Sequence, residues 1–367
     1  MLLTDSQTIE HRHLDTLLKV SRAIGTIRNT DELMRQIMTQ TTEAFAADRS
    51  TLFVHDAERG QLWSRVAQGL EHWSTELRIC DDAGIAGHVF QTRRPLLIPD
   101  TFEHPLFARD LAEQTGYVPR SMIVVPVSHR PDRCDGILEV MDHRPAAFHE
   151  DDRALLEAIA VQVSITLDNA RLYQAQERQF HSFVAAFSAA LDARDPITQA
   201  HSINVANYAM GIAVHLGLDR TRQQWFRVAG LLHDVGKIGT PEAVLTKPGK
   251  LDPHEFEQMK QHATHTHRIL SRIEFTDAYR HMAAFAAAHH EKLDGSGYPD
   301  GLAGDGLPLE ARVLCVADIF DALTQTRHYR AGMSVPDALA IIDRMTPHQL
   351  DAACVAALKK YLGVEPR

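Results

Sequence analysis

The chain has 367 residues, of which 44% are hydrophobic, and a formal net charge of -10. This length suits two domains, and the ordinary apolar content excludes a mainly disordered chain. No run of eighteen or more apolar residues occurs and residues 1–15 are polar, so we expect neither a membrane span nor a signal peptide, and we predict a cytoplasmic protein. The negative charge argues against binding of a nucleic-acid polymer, although it does not exclude a small anion held by metals.

The first half of the chain has the pattern of a mixed α/β domain. Apolar residues recur at three- to four-residue spacing over residues 9–46, which predicts helix. Strand patterns follow at residues 50–55, 61–67, 121–128 and 136–141, and the segment GIAGHVF at residues 84–90 predicts the start of a glycine-flanked helix. We therefore expect a central antiparallel sheet with helices packed on it.

These segments resemble the GAF domain, a small sensory module. The matching stretches are GIAGHVFQTRRPLLIPD, VPRSMIVVPV, GILEV and FHEDDRALLEAIAVQVSITLDNARLY. The resemblance covers about residues 14–172 and implies the GAF fold with an unidentified small-molecule ligand. Members that bind cyclic nucleotides carry an Asn-Lys…Phe…Asp-Glu signature. This chain has Asp-His…Phe…Asp-Arg from Asp142 onward, which argues against cyclic-nucleotide sensing.

One long helix is predicted over residues 151–191, because this stretch contains neither glycine nor proline. Its apolar stripe consists of Leu155, Ile159, Val163, Leu167, Ala170, Tyr173 and Phe180. A stripe of this kind between two domains favours pairing with its twin, and we predict a homodimer. The alternative is a helix that lies on its own domain. We place the sensory domain at residues 1–172, the connecting helix at 151–191 and a helical domain at 180–367.

The second half has helical periodicity, interrupted by glycine- and proline-rich loops at residues 236–253 and 294–308. Helices are predicted over residues 180–193, 198–216, 220–234, 253–271, 276–290, 309–325 and 335–345. Five of its segments each contribute one or two residues of metal-ligand type. In chain order these residues are His201, His233, Asp234, His262, His289, His290 and Asp318.

Imidazole and carboxylate groups hold first-row divalent metals and leave room for water. Seven such groups exceed the needs of one ion, which suggests at least two metals. A close pair of metals can stabilise both the attacking and the leaving oxygen of a phosphoester. Lys237 returns to the face of the chain that carries His233 and Asp234, where an ammonium group can bind a phosphate oxygen. The pattern therefore predicts a metal-dependent phosphohydrolase.

Five ordered motifs sharpen this prediction. They are ARDPITQAHS, LLHDVGKIG, VLTKPGKLDPHEFEQMKQH, HHEKLDGSGYPDGL and RVLCVADIFDALTQTRHYR. The segment around His233 and Asp234 resembles the HD phosphohydrolase superfamily, and the Gly-Tyr-Pro triplet narrows the resemblance to the HD-GYP family. It covers about residues 180–345. It implies an all-α fold, two divalent metals (iron or manganese) and hydrolysis of cyclic di-GMP to pGpG and possibly GMP.

The resemblance also implies a role for each matching residue. Asp234 would bridge the metals; His233, Asp318 and His201 would complete one metal site, and His262, His289 and His290 the other. Asp234 and Lys237 would act in catalysis, and Lys237, Tyr298, Arg327 and Arg330 would contact substrate. Some members hold a third metal through a glutamate four residues before the first histidine. Ile197 stands there in this chain, so we predict two metals.

The predicted fold class is thus an α+β multidomain protein, with a GAF-type α/β sensor, a long connecting helix and an all-α HD-GYP domain. Two alternatives to cyclic di-GMP hydrolysis remain at this stage. The substrate could be another cyclic dinucleotide such as cyclic GMP-AMP, because the base-contacting residues are not recognisable. The chain could also be a non-catalytic cyclic di-GMP receptor or adaptor. The GYP loop makes a protein with a diguanylate-cyclase domain a plausible partner, and no general acid is identifiable.

Overall fold

A computed structural model of the chain describes Leu18 and residues 30–64, 76–114, 116–193, 200–326 and 331–364. By its internal contacts the chain divides into two units, Met1–Glu177 and Arg178–Arg367. The domain boundaries given above stay predictions.

The first unit is built on an antiparallel sheet. Among the described residues, six strands lie in the order β3-β2-β1-β6-β5-β4, and every neighbouring pair is antiparallel. The strands are β1 (Arg49–Asp56), β2 (Gln61–Ser64), β3 (Leu77–Cys80), β4 (Leu96–Ile98), β5 (Ser121–Val127) and β6 (Gly136–Asp142). The predicted antiparallel sheet is confirmed. Two short strands, β3 and β4, were not predicted, because three or four residues carry too little alternation.

Helices cover both faces of this sheet. Helix α1 (Thr30–Phe45) and the first part of α4 (Glu150–Asp192) bury apolar side chains such as Leu33 and Ile159 against Leu52 and Leu138. Alternation along β1 sends Phe53 to the opposite face. On that face the chain forms a second core with helix α2 (Gly84–Thr92), and the short helix α3 (Arg109–Gln114) precedes β5.

The long helix α4 exists as predicted, but the predicted stripe on it has a different role. Leu155, Ile159, Val163, Leu167 and Ala170 all belong to the core of the first unit. They are thus covered by α4's own domain, which was the alternative interpretation. A stripe's periodicity predicts burial but does not reveal what buries it, so the use of these five residues as a dimer contact was wrong. The homodimer itself stays a prediction.

The regular elements of the second unit are all helices among its described residues, with one isolated β-bridge between Asp294 and Ala303. Its helices are α5 (His201–His215), α6 (Arg220–Leu232), α7 (Glu242–Leu245), α8 (Pro253–Leu270), α9 (Met282–Ala287), α10 (Leu309–Thr324), α11 (Val335–Met345) and α12 (Ala352–Tyr361). Their apolar faces surround a core that contains Phe226 and Phe320. The predicted helix over residues 276–290 is instead a 3-10 turn followed by the short α9. Within the described parts of the chain, no helix is both long enough and apolar enough to cross a membrane.

Local sequence signals explain where the site-bearing helices begin. Asp252 accepts a hydrogen bond from the backbone N–H of Glu255, and the Glu255 side chain accepts one from Asp252, which forms a capping box at the start of α8. Asp219 caps α6 in the same manner through the N–H of Arg222. Such caps satisfy backbone donors that the first helical turn leaves unpaired. They fix the helices that deliver His262 and His233 to the site.

Candidate metal centre

The structure brings the seven predicted ligand residues together from five segments. His201 is the first residue of α5, and His233 and Asp234 join α6 to a 3-10 turn at Val235–Gly239. His262 lies within α8, His289 and His290 directly follow α9, and Asp318 lies within α10. Gly236 allows the 3-10 turn to pack against α8, because a Cβ atom there would collide with the carbonyl oxygen of His262.

Three buried histidines direct the same ring atom into the centre. In His233, His262 and His289, Nδ1 lies 2.7 Å from the backbone carbonyl oxygen three residues earlier. A carbonyl oxygen only accepts hydrogen bonds, so Nδ1 carries the proton and Nε2 carries a lone pair. These contacts therefore fix the tautomer that leaves Nε2 available as a metal ligand.

Among the described residues, no hydrogen-bond donor meets the Nε2 lone pairs of these histidines. His262 Nε2 and His289 Nε2 lie 3.3 Å apart, and two acceptors cannot hydrogen-bond to each other. His233 Nε2 is buried without a hydrogen-bond partner among the described residues. Buried acceptors that converge without donors are costly, and divalent cations bound on either side of Asp234 would satisfy them. The residues present therefore fit a metal centre.

Asp234 stands between two groups of histidines. Its Oδ2 lies 3.5 Å from His201 Nε2 and 3.4 Å from His233 Nε2. Its Oδ1 lies 3.3 Å from His262 Nε2 and 3.8 Å from His289 Nε2. Each carboxylate oxygen thus faces a different pair of imidazoles, which is the arrangement that a carboxylate bridging two ions requires.

Asp318 faces the same space from α10. Its Oδ1 lies 3.3 Å from His201 Nε2, and its Oδ2 lies 3.6 Å from His290 Nδ1. Three sets of ligand atoms occur in this centre, and within each set the atoms lie within 4.8 Å of one another. The first set is from His201, His233 and Asp318, the second is from His262, His289 and His290, and the third, from His233, Asp234 and His289, connects the first two. The first two sets have the same histidines and Asp318 as the two metal sites that the resemblance implied.

Burial and mutual contacts shift the pKa values of the ionisable groups in the centre. Burial alone would raise the pKa of Asp234, but Lys237 and the neighbouring histidines outweigh it and hold the pKa well below its ordinary value. Burial lowers the pKa of His289 far below normal, and it lowers the pKa of His290 to about 3 despite the opposing charge of Asp318. His201 differs, because burial is outweighed by its contacts with Asp234, Asp318 and Asp321, which hold its pKa well above the ordinary value. Ionised carboxylates and neutral imidazoles are the protonation states that bind metal, so metal binding at His201 would displace a proton.

Two predicted substrate contacts lie at the rim of the centre. Lys237 Nζ is 2.6 Å from Asp234 Oδ2, so the ammonium group faces the predicted bridge. The ring of Tyr298 lies 4.6 Å, centroid to centroid, from that of His290. The ammonium of Lys260 lies 5.7 Å above the Tyr298 ring. Arg327, Arg330 and Ile197 fall outside the described residues.

Three further residues support the candidate ligands from outside the centre. Asp321 Oδ2 lies 2.6 Å from His201 Nδ1 and therefore orients that ring from behind. Thr266, one turn after His262, donates to the carbonyl oxygen of His233 and accepts from the N–H of Gly236. Glu291, which follows His290, accepts hydrogen bonds from two backbone N–H groups after the Gly-Tyr-Pro triplet, at 2.7 and 3.0 Å. For Asp321, the three-residue spacing from Asp318 on one helix was a signal visible in the sequence.

Family models match both halves of the chain. The model of the GAF domain matches residues 29–167, and a model described as an HD domain matches residues 185–354. The chain carries a GAF domain followed by an HD domain. The HD match includes all seven candidate ligands, and the GAF match includes all six strands of the sheet. The predicted order of domains and the predicted fold class are thereby confirmed.

Curated relatives share about half of this chain. The 3'3'-cGAMP-specific phosphodiesterase 3 of Vibrio cholerae is 45% identical over 183 residues, which are 50% of this chain and 39% of the relative. The cyclic di-GMP phosphodiesterase response regulator RpfG of Xanthomonas campestris is 38% identical over 189 residues, 52% of this chain and 50% of the relative. A cyclic di-GMP phosphodiesterase of Thermotoga maritima is 38% identical over 167 residues, 46% of this chain and 45% of that protein. The chain spans half or less of each relative's length.

Proposed function

We propose that this protein is an HD-GYP-type phosphodiesterase that hydrolyses cyclic di-GMP at a pair of divalent metals. The observation that carries the proposal is the set of unpaired histidine Nε2 atoms grouped on either side of Asp234. The substrate class is proposed from the relatives, whose names describe phosphodiesterases of cyclic dinucleotides. The proposed product is pGpG, with further cleavage to GMP as an open extension.

The seven candidate ligands would hold two metal ions. His201, His233 and Asp318 would hold one ion, His262, His289 and His290 the other, and Asp234 both. Two bound ions would supply Lewis acidity, which lowers the pKa of an attacking water and stabilises charge on phosphate oxygens. Iron and manganese are the proposed ions on the basis of the family resemblance, since imidazole and carboxylate ligands alone permit several metals.

The protein's own groups would position the dinucleotide. Lys237 would donate hydrogen bonds to a phosphate oxygen and offset the negative charge that grows there. Tyr298 would stack its ring on a guanine base, since aromatic rings offer bases a flat apolar face. The side chains of Lys237 and His290 are 22% and 26% exposed, whereas those of His233 and His289 are fully buried. The substrate would therefore approach from the side of Lys237 and His290. Arg327 and Arg330 stay predicted substrate contacts.

A second candidate substrate is 3'3'-cyclic GMP-AMP. It is favoured by the relative with 45% identity, which is named as specific for that dinucleotide. Both substrates present the same phosphodiester chemistry to the metals, so the ligand set does not distinguish them. The distinction depends on groups that contact the second base, where adenine and guanine differ in their hydrogen-bond donors and acceptors.

The deciding experiment gives both dinucleotides to the metal-loaded full chain at equal concentration and separates the products by chromatography. Production of pGpG or GMP from cyclic di-GMP, lost in Asp234→Ala, would support the proposal. Faster cleavage of cyclic GMP-AMP would assign the second candidate. Tight binding of cyclic di-GMP without turnover, with two metals per chain, would instead identify a receptor or adaptor. His267→Ala is the matched control, because His267 is an exposed histidine on the same helix as His262.

We also propose that the protein forms a homodimer through an exposed stripe of α4. Val161, Ile165 and Leu172 are 40%, 36% and 64% exposed and share one side of the helix. Light scattering after gel filtration would show a dimer that Leu172→Glu converts to a monomer. Ile273→Glu, a change at an exposed apolar residue of the second unit, should leave the dimer intact. An unchanged dimer in Leu172→Glu would rule out this interface.

Three further predictions stay proposals, and each has a simple test. Control of hydrolysis by the GAF domain would appear as a change in turnover when the dimer is disrupted or a GAF ligand is added. Contact with a diguanylate-cyclase domain would appear as co-purification that depends on the Gly-Tyr-Pro loop. A cytoplasmic location would be checked by cell fractionation.

A further inference from the structure

The first unit contains a cavity that the proposed reaction does not use. It lies on the sheet face that carries Phe53 and Met122, beneath α2 and α3, and its volume is about 130 Å³. Leu77, Ile79 and Phe107 complete its apolar wall. A cavity of roughly 150 Å³ lined by apolar side chains is large enough to hold benzene. This cavity therefore has room for a molecule of about one ring, and a cyclic dinucleotide is far too large for it.

A buried carboxyl group lies in the wall of this cavity. Glu139 stands in the middle of β6, opposite Thr51 of β1, and only 8% of the residue is exposed. Its neighbours Leu138 and Val140 face the core under α1 and α4, so alternation along the strand sends Glu139 to the cavity side. A buried polar group in the middle of a sheet requires a specific explanation.

No group in the described residues compensates the charge of Glu139. Its carboxyl has neither a hydrogen bond nor an ion pair there, and burial is the sole cause that raises its pKa, to about 7. Arg49 is the one cationic side chain among the described lining residues. Its guanidinium lies 4.3 Å from the centre of the Tyr117 ring, and it does not contribute to the pKa of Glu139. A ligand could therefore supply the partner that this carboxyl group lacks among the described residues.

We propose that this cavity binds a small organic cation, a protonated amine on an apolar body of about one ring, with Glu139 as its counterion. The apolar wall would take the body of the ligand, and the carboxylate would take the ammonium group. Pairing would remove the cost of an isolated buried charge. An anionic ligand would be repelled by the carboxylate, and a neutral one would at most donate a hydrogen bond and leave the charge uncompensated. The binding of an amine is independent of the proposed hydrolysis.

Calorimetry on the full chain would test this with three probes of one shape: 2-phenylethylamine, 2-phenylethanol and 3-phenylpropionate. We expect the amine to bind about tenfold or more tightly than the alcohol, and the acid to bind more weakly than both. Near pH 7 the amine should also displace a proton from Glu139. The measured heat would then depend on the ionisation enthalpy of the buffer.

Two variants complete the test. Glu139→Gln keeps the shape of the side chain and should reduce amine affinity to that of the alcohol. Glu58→Gln removes an exposed carboxylate from the same unit and should change nothing. Equal affinity for amine and alcohol, an unaltered amine affinity in Glu139→Gln, or no amine binding up to about 10 mM would each overturn the proposal. The comparison of probes on the unaltered chain stands even if Glu139→Gln folds poorly.

Discussion

Asp318 in the second unit and Glu139 in the first unit are equally buried, each with 8% of its surface exposed. Their pKa values nevertheless shift in opposite directions. Burial raises the pKa of Glu139 to about 7, whereas Asp318 has a pKa well below its ordinary value. Burial acts on both residues, and in Asp318 it is outweighed by His201, His290 and His233. The partners of a buried carboxyl group, more than its depth, therefore decide whether it carries charge.

This contrast separates two kinds of site. In the second unit, carboxylates face imidazoles whose lone pairs converge, and divalent cations would satisfy both kinds of ligand. In the cavity of the first unit, the carboxyl group of Glu139 lies among apolar walls that leave room for an organic cation. The geometry therefore suggests metal ions at one site and an amine at the other. The following predictions test each side of the contrast.

The largest expected effect is that of Asp318→Asn on turnover. The amide keeps the shape of the side chain but loses the charge and the ligand strength of a carboxylate. We expect the turnover number to fall about a thousandfold or more, since metal stabilisation of the transition state amounts to several kcal/mol. Metal analysis of the same sample should show fewer than two ions per chain. Asp305→Asn, at an exposed position of the same unit, should keep both properties.

The next effect is on stability and tests the other side of the contrast. Above pH 7 the Glu139 carboxyl is ionised in the folded and unfolded states, and the folded state bears the full cost of its burial. Below about pH 4 it is protonated in both states, and the cost disappears. A pKa of about 7 against a usual 4.5 corresponds to about 3 kcal/mol. Glu139→Gln should therefore stabilise the protein by about this amount at pH 8 and hardly at all at pH 4.

Urea unfolding at both pH values would measure this difference. Glu58→Gln is the control, and its unfolding free energy should be the same as that of the unaltered chain at each pH. A stabilisation of Glu139→Gln that does not depend on pH would show that the effect comes from packing. A destabilisation at pH 8 would show that the carboxylate has a partner in the folded chain.

The sequence predicted one of these two sites far better than the other. The seven candidate ligands were recognisable because adjacent His-Asp and His-His pairs in ordered motifs are rare and chemically specific. Glu139 lies in a predicted strand, residues 136–141, but a glutamate there suggests a solvent-facing position. Only the structure shows that the chain around α2 and α3 covers that face. Local periodicity reports which side chains share a face and not what covers it.

The same limit explains the outcome for the connecting helix. Leu155, Ile159 and Val163 were correctly predicted to be buried, yet the helix buries them within its own domain. The support that Thr266 gives to His233 joins two segments that are 33 residues apart, and no local pattern announces such a contact. By contrast, the antiparallel sheet was predicted from the alternation of apolar residues, and the main helices were predicted from their three- to four-residue spacing.

A smaller effect on turnover is expected from Asp321→Asn. Asp321 contacts His201 Nδ1 rather than a metal, so it acts as a positioning residue. Loss of such a partner weakens metal affinity or activity by about 10- to 100-fold. The readout that separates positioning from a purely structural role is metal affinity, measured by competition with a chelator. Unchanged affinity together with a lower melting temperature would contradict the positioning role.

The smallest effect belongs to Glu291, a buried carboxyl group whose environment lies between these extremes. One of its oxygens accepts two backbone N–H groups, at Asp300 and Gly301, and the other is buried without a hydrogen-bond partner among the described residues. Glu291→Gln keeps an acceptor for both N–H groups but removes the charge that strengthens these bonds. We expect a loss of about 1 kcal/mol of unfolding free energy, the difference between charged and neutral hydrogen bonds. Urea titration of Glu291→Leu, a variant without any acceptor, gives the comparison. If Glu291→Gln lost as much unfolding free energy as Glu291→Leu, the two hydrogen bonds would not account for the role of this carboxyl group. A charged partner at its second oxygen would then be required.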